Sequence, residues 1–176
     1  LTLCGDVSAS GDVRLIYTGD AQAFLEPCGC TENQLGGIGR QARLVRGLKQ
    51  KNALALSVGG ALAGDTRLDK LRGGAFLAAL KRIGYDVAHL GASELRFGND
   101  HATSSGLTWV SANVELQGIS RARTFEVGGR QVHVSAVSGN RQARRINAEG
   151  RMASAPTLDL ETYSYRGAVQ SVQSVA

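Results

Sequence analysis

Apolar and polar positions along the first ninety residues predict strands that are separated by helices. Three short runs of β-branched or apolar residues each precede a glycine, at residues 13–18, 53–58 and 86–90. Between them, residues 38–50 and 68–83 repeat apolar side chains at helical spacing, and Gly84 follows the second helix. In the first helix the apolar face comprises Ile38, Ala42, Val45 and Leu48. This order of elements favours an α/β fold with parallel strands and right-handed crossovers.

The second half of the chain predicts further strands and then loses its pattern. Residues 107–114, around Trp109, form another β-rich run. Two more runs, at 123–127 and 130–137, flank a Gly-Gly pair, which is a hairpin signal. After about residue 139 the spacing of apolar residues favours neither a helix nor a strand. We therefore divide the chain into three parts: an N-terminal tail (1–12), an α/β domain (13–152) and a tail or docking segment (153–176).

Composition excludes some classes of function but does not identify one. The chain has 176 residues, of which 43% are hydrophobic and 20% charged, as in an ordinary soluble protein. It contains no run of about 18 apolar residues, so we expect no membrane-spanning helix. A net charge of +5 and an aromatic content of 5% give no support for nucleic-acid binding.

The three cysteines leave several interpretations open. The spacing of Cys28 and Cys30 is too tight for a structural zinc knuckle, and no histidine follows for haem attachment. They are either two thiols of a small loop or a redox-active or bridged pair, close to a helix N-terminus that would favour a thiolate. Cys4 follows Leu1-Thr2-Leu3, which faintly resembles the end of a signal peptide before a lipidated cysteine, although Leu3 is large for that position.

Several separated blocks resemble one family. They are Ile16-Tyr17-Thr18-Gly19-Asp20-Ala21-Gln22, Gly36-Gly37 before a basic helix, Leu56-Ser57-Val58-Gly59-Gly60, residues 84–98 (Gly-Tyr-Asp-Val-Ala-His-Leu-Gly-Ala-Ser-Glu-Leu-Arg-Phe-Gly), and Val110-Ser111-Ala112-Asn113-Val114. In order and spacing they are similar to the N-terminal half of the 5′-nucleotidase branch of the calcineurin-like metallophosphoesterases, over roughly residues 13 to 138. The resemblance implies two packed β-sheets with helices outside, and here a partial version of that sheet with a β-hairpin in its second half.

The resemblance also implies a two-metal site whose ligands are mostly replaced. The family motifs are Asp-x-His, Gly-Asp and Gly-Asn-His-Glu, which together clamp a phosphate between two cations about 3.5–4 Å apart. Asp20 and Glu94 match these motifs. The histidine, bridging aspartate, asparagine and second histidine fall on Gln22, Gly60, Ala92 and Ser93. Glycine, alanine and serine do not replace such ligands at a hard-cation site. We therefore expect no metal, no cofactor and no catalytic residue, with Asp20 and Glu94 as a hydrogen-bonded remnant.

Other candidates for chemistry are weaker. The chain has no Gly-x-Ser-x-Gly nucleophile elbow, and Ser93 lacks a recognisable base nearby in sequence. We interpret His89, His101 and His133 as structural. The Cys-Gly-Cys loop is similar to that of extracytoplasmic relatives, some of them associated with multihaem cytochromes.

These observations favour a pseudoenzyme: a non-catalytic, structural or interaction subunit of a periplasmic or otherwise extracytoplasmic assembly. The expected partners are other protein subunits, membrane-associated or cytochrome-containing, because a half-length fold leaves an apolar face to be covered. The alternatives are a thiol redox protein that uses Cys28 and Cys30, and a residual phosphoesterase with a rearranged site.

Overall fold

The computed structural model describes residues 12–28, 34, 36–138 and 164–165. Its first half contains β1 (Arg14–Thr18), α1 (Ile38–Leu48), β2 (Ala53–Ser57), α2 (Arg67–Ile83) and β3 (Val87–His89). Its second half contains α3 (Asn99–Thr103), β4 (Trp109–Val110), β5 (Val114–Glu115), β6 (Ala122–Val127), β7 (Arg130–Ser135) and β8 (Ser164–Tyr165). No helix within these residues is long and apolar enough to cross a bilayer.

The first four strands form one parallel sheet in the order β1-β2-β3-β4. Strands β6 and β7 form the antiparallel hairpin, and β5 pairs with β8. The predicted α/β class, the parallel sheet with flanking helices and the hairpin are thus confirmed. The three-part division of the chain stays a prediction, since both of its tails lie almost entirely outside the described residues.

Alternation along β2 separates the two faces of the sheet. Ala53 and Ala55 belong to the helix-side core, together with Val45 of α1 and Phe76 of α2. Small side chains on the strand let the helices approach closely, while large side chains on the helices fill the space between them. The other face carries Leu54, which is buried, and the parallel register places the exposed Leu15 of β1 beside it.

Hydrogen bonds hold the sheet and helices in register. The Asp86 carboxylate accepts the backbone N–H of Ala55 at 2.8 Å and the ammonium of Lys49 at 2.8 Å, which ties β3 to β2 and to the end of α1. Helix α2 begins with a capping box, in which the Thr66 hydroxyl accepts the N–H of Asp69 and the Asp69 carboxylate accepts the N–H of Thr66. The bonds of Asp86 hold β2 in place, and the capping box satisfies backbone donors at the start of α2.

Two sequence predictions were wrong in detail. Residues 107–114 form two short strands instead of one, because the backbone changes partners after Val110: Ser111 N–H binds Ser120 O, and Ala112 N–H binds Ala136 O. The prediction for α1 placed Leu48 on its apolar face, but Leu48 is 37% exposed and Val45 is the buried residue. The helix ends at Leu48, so its last turn lies at the rim of the core. Helix α3 was not predicted, since five residues give too short a periodic signal.

Candidate functional site

The carboxyl ends of β1, β2 and β3 meet at one edge of the sheet, where ligands bind in open α/β folds. Residues 20–23 run along residues 59–61 there, with the N–H groups of Asp20 and Gln22 donating to the carbonyls of Gly59 and Gly60, each at 2.9 Å. The structure therefore brings the aligned positions of the first two motifs into direct contact. The third motif packs against the same turn.

Asp20 and Gln22 bind each other. The side-chain amide of Gln22 donates to Oδ1 of Asp20 at 3.0 Å, and both residues are exposed. Their φ angles are 52° and 50°, and that of Ala23 is 55°, so this short loop holds several non-glycine residues in the left-handed region. Such conformations persist when the surrounding structure holds them, and here the backbone pairing with residues 59–61 does so.

Gly60 occupies the position of the bridging aspartate. Its φ is 72°, and a Cβ atom built on it would lie 2.7 Å from Cα and 2.9 Å from N of Asp20. Those contacts are with backbone atoms, which cannot swing aside as a side chain can. This position therefore has no room for a carboxylate side chain unless the loop of Asp20 moves.

Glu94 keeps its carboxylate but directs it inward. Oε1 accepts the N–H of Ala61 at 2.8 Å, Oε2 accepts the N–H of Gly91 at 3.1 Å, and the residue is only 1% exposed. Beside it, the Ser93 hydroxyl accepts the N–H of Gly60 at 3.2 Å. Ala92, at the asparagine position, is buried. The residues of the third motif thus cap backbone donors of the second motif.

These donors do not fit a two-metal centre. Both carboxylate oxygens of Glu94 are engaged with backbone N–H groups, which leaves the Asp20 carboxylate as the exposed acid of the aligned positions. Two hard cations need several oxygen or imidazole ligands in a shared shell. Across the part of the chain that the structure describes, no three His, Cys, Asp or Glu side chains are grouped so that they can hold a metal ion. Asp20 and Glu94 each make hydrogen bonds at this edge, Asp20 with Gln22 and Glu94 with the N–H groups of Ala61 and Gly91.

A histidine–serine pair lies at the same edge and was missed from the sequence. Nε2 of His89 lies 3.0 Å from Oγ of Ser138, and Nδ1 lies 3.4 Å from the carbonyl of Val58. Ser138 is 1% exposed, and Asn113 binds both its N–H and its carbonyl. A substrate cannot reach the buried Oγ, so we interpret the pair as structural. It links the segment after β7 to the sheet. In the sequence, His89 was recognisable by its position at a strand end, whereas nothing near Ser138 indicated that the two residues meet.

The remaining candidates are scattered. Cys28 is an exposed free thiol between β1 and α1, whereas Cys4 and Cys30 lie outside the described residues. His133 pairs across the hairpin with the Thr124 hydroxyl at 2.8 Å. His101 lies in α3, where burial lowers the pKa of its imidazole and the positive charge of Lys70 lowers it further.

Comparison with known proteins defines the fold. No protein-family model and no curated protein sequence matches the chain. Among solved structures, a 5′-nucleotidase precursor from Thermus thermophilus is 22% identical with a TM-score of 0.70, over 93% of this chain and 33% of that one. The NAD nucleotidase of Haemophilus influenzae is 19% identical with a TM-score of 0.70, over 93% of this chain and 31% of that one.

A third structure, a sulfate thiohydrolase from Thermus thermophilus in complex with glycerol, is 17% identical with a TM-score of 0.65, over 97% of this chain and 42% of that one. This chain therefore spans less than half the length of each of these three structures. Its fold is the calcineurin-like metallophosphoesterase fold.

Proposed function

We propose that this chain is a metallophosphoesterase-fold domain that does not hydrolyse phosphate esters and that acts as an interaction subunit of an extracytoplasmic assembly. The observation that carries this proposal is the hydrogen bonding of the buried Glu94 carboxylate. Its two carboxylate oxygens accept the N–H groups of Ala61 and Gly91 inside the protein. The carboxylate is buried and bound to the backbone on both oxygens, so it holds the turns around Ala61 and Gly91 together and does not face the exposed edge where Asp20 lies.

The Gly60 position supports the same conclusion from sterics. A side chain there would meet the backbone of Asp20 at 2.7 Å, so the packing of the two loops depends on the missing side chain. A functional two-metal centre would require both a bridging carboxylate and a wider gap between these loops. The edge of the sheet is therefore adapted to close contact between its loops.

An interaction role is supported by the apolar surface beside β1. On the face of the sheet opposite the helices, Leu15 is 52% exposed and Tyr17 is 71% exposed, and Val58, after β2, is 50% exposed. Among the described strands, β1 pairs with β2 alone. Large apolar side chains grouped on an open strand favour contact with another protein surface. We assign the partner to the class of protein subunits, membrane-associated or cytochrome-containing.

Metal binding and hydrolysis test the non-catalytic role. The purified protein, dialysed against manganese or zinc and then washed, should retain no stoichiometric metal by elemental analysis, and it should release no phosphate from nucleotides. Two bound ions per chain together with hydrolysis that an Asp20→Asn variant abolishes would establish the residual phosphoesterase instead.

The interaction role has its own test. We expect the chain expressed alone to self-associate or to bind a hydrophobic dye, and the double variant Leu15→Ser, Tyr17→Ser to self-associate less and bind less dye at unchanged helical content. A Thr124→Ser change on the hairpin is the control. A wild-type chain that is a monodisperse, cooperatively unfolding monomer without dye binding would contradict the role.

The exposed thiol of Cys28 favours a second candidate function, thiol redox chemistry with Cys30. Both cysteines precede α1, and the backbone of Pro27 lies against Gly37 at the start of that helix. Thiol titration before and after mild reduction tests this candidate. A reversible change of two thiols that Cys28→Ser abolishes would support it, and unreactive or permanently free thiols would exclude it.

A further inference from the structure

The two helices on one face of the sheet carry the excess positive charge of the chain. Residues 38–83, from the start of α1 to the end of α2, contain ten of the 20 Lys and Arg residues but only two of the 15 Asp and Glu residues. The segment therefore has a formal charge of +8, and the rest of the chain has −3. This asymmetry is much larger than the net charge suggests, and eight of the ten basic residues lie on α1 and α2 themselves.

The same layer exposes leucines. Of the eight large hydrophobic side chains exposed among the described residues, four lie on these helices: Leu44 (59% exposed), Leu48 (37%), Leu68 (54%) and Leu71 (65%). Leu68 and Leu71 continue into the exposed Ala75 and Ala78, at spacings of three and four residues. This stripe lies opposite the buried side of α2, so α2 is apolar on both faces.

The helices form one continuous outer surface. Both connect neighbouring parallel strands, so right-handed crossovers place them on the same side of the sheet. They lie side by side, with the Arg46 guanidinium donating to the carbonyl of Arg82 at 3.1 Å. Leu48 therefore lies near the end of α2, whereas Leu68 lies near its start, about 20 Å away along the helix axis. Two leucine pairs so far apart, with arginines between them, suit a planar partner better than a peptide in a groove.

We propose that the outer face of α1 and α2 binds the surface of a lipid bilayer that contains anionic phospholipids. Exposed leucines next to arginines and lysines are the pattern of helices that lie in the headgroup region, with apolar side chains inserted and basic ones on lipid phosphates. The outer face carries no aromatic side chain for base stacking, because Phe76, the one aromatic residue of the two helices, is buried. Each basic residue near an anionic membrane contributes about fivefold in affinity.

The two acidic residues of the segment do not cancel this charge. Asp69 is engaged by the Thr66 hydroxyl and lies 3.9 Å from Arg72. Asp65 lies in the loop before α2. Of the basic residues, Lys49 is neutralised by Asp86 at 2.8 Å. Among the described residues, Arg43 and Lys51 make no ion pair, and Arg40 donates to the carbonyl of Gln34 without an ion pair, so the charges of all three can attract lipid phosphates.

Co-sedimentation with vesicles tests the proposal. The wild-type chain should bind vesicles of phosphatidylcholine mixed with phosphatidylglycerol, and should bind vesicles of phosphatidylcholine alone at least about tenfold more weakly. The double variant Arg40→Gln, Arg43→Gln should lose about tenfold or more. The double variant Leu68→Ser, Leu71→Ser should bind several-fold more weakly and lose the binding that persists at high salt. Circular dichroism and a thermal melt show whether each variant keeps its fold.

The matched control is Arg123→Gln, Arg130→Gln, which removes the same charge from the exposed hairpin. This variant should bind like the wild type. Equal losses from the hairpin and helix variants would overturn the proposal, because binding would then follow net charge. Leucine variants that bind like the wild type, or a chain that binds heparin or RNA strongly and vesicles weakly, would also overturn it in favour of a polyanion-binding surface.

Discussion

Gly60 and Asp20 pack so closely that a Cβ atom on Gly60 would lie 2.7 Å from the Cα of Asp20. The loops after β1 and β2 are joined there by two successive backbone hydrogen bonds, each of 2.9 Å. In the family that the sequence resembles, these two positions both hold metal ligands. Here one of them is a glycine that allows the loops to touch, so restoring a side chain would separate loops that now bind each other.

The first prediction follows from this contact. We expect Gly60→Ala to destabilise the protein by about 1–3 kcal/mol, since the new methyl group meets backbone atoms and the φ of 72° disfavours any residue with a Cβ. Urea unfolding provides the measurement. Gly47→Ala, in the exposed part of α1 with no atom within 4 Å of its Cβ, should instead stabilise by about 0.5–1 kcal/mol. Equal effects of the two changes would contradict the packing argument.

Glu94 gives a second prediction, about stability. Glu94→Gln replaces one acceptor oxygen with an NH₂ group, which must face the N–H of either Ala61 or Gly91 inside the core. We expect a loss of about 2–4 kcal/mol in the free energy of unfolding, because a buried donor is left without an acceptor. Glu126→Gln, on the exposed strand β6, should change stability by less than about 0.5 kcal/mol. A Glu94→Gln variant as stable as the wild type would show that the capping bonds contribute little.

The sequence predicted the parallel sheet because each strand is a short apolar run that ends at glycine, and each helix has a clear period of 3.6 residues. It did not predict where β4 ends. The backbone of Ser111 and Ala112 pairs with Ser120 and Ala136, and such pairing with distant segments leaves no local pattern. Leu48 was predicted on the apolar face of α1 but is exposed. Its burial depends on how far the helix extends over the core, which the local sequence does not reveal.

At the site, the sequence indicated which positions meet but not what they do. Alignment to the family motifs placed Asp20, Gly60 and Glu94 at one edge of the sheet, and the structure puts all three around one turn. That Glu94 points inward depends on the N–H groups of residues 61 and 91, which no residue pattern reveals. The His89–Ser138 pair was invisible for a similar reason, since 49 residues separate its members.

The capping box of α2 provides a third prediction, which concerns low pH. The hydrogen bond from the Thr66 hydroxyl, followed by that from the Thr66 N–H, lowers the pKa of Asp69. A carboxylate with a lowered pKa contributes stability that is present above its ordinary pKa of about 4 and is lost as pH falls through the folded-state value. NMR titration should show the pKa of Asp69 rising towards its ordinary value in Thr66→Ala and staying low in Thr124→Ala. An unchanged pKa in Thr66→Ala would assign the shift to another group.

His101 in α3 has surroundings that oppose its protonation. Its ring lies against the glycine pair of α2, where a Cβ on Gly73 would be 3.3 Å from Nε2, and the ring of Phe97 meets it edge-on at 5.4 Å. Nε2 is buried and has no hydrogen-bond partner among the described residues, so a proton there would be poorly solvated. Burial first, and Lys70 second, therefore lower the pKa of His101.

The last prediction follows from this lowered pKa and concerns stability near neutral pH. The native state binds fewer protons than the unfolded chain, so the stability from neutral His101 is full above about pH 6.5 and falls as pH drops below it. Thermal melts between about pH 8 and pH 5 should show a smaller loss of Tm for His101→Phe than for the wild type, because phenylalanine keeps the ring packing without a titrating group. His133→Gln, on the exposed hairpin, should follow the wild-type curve. Identical pH profiles for His101→Phe and the wild type would show that another group controls stability in this range.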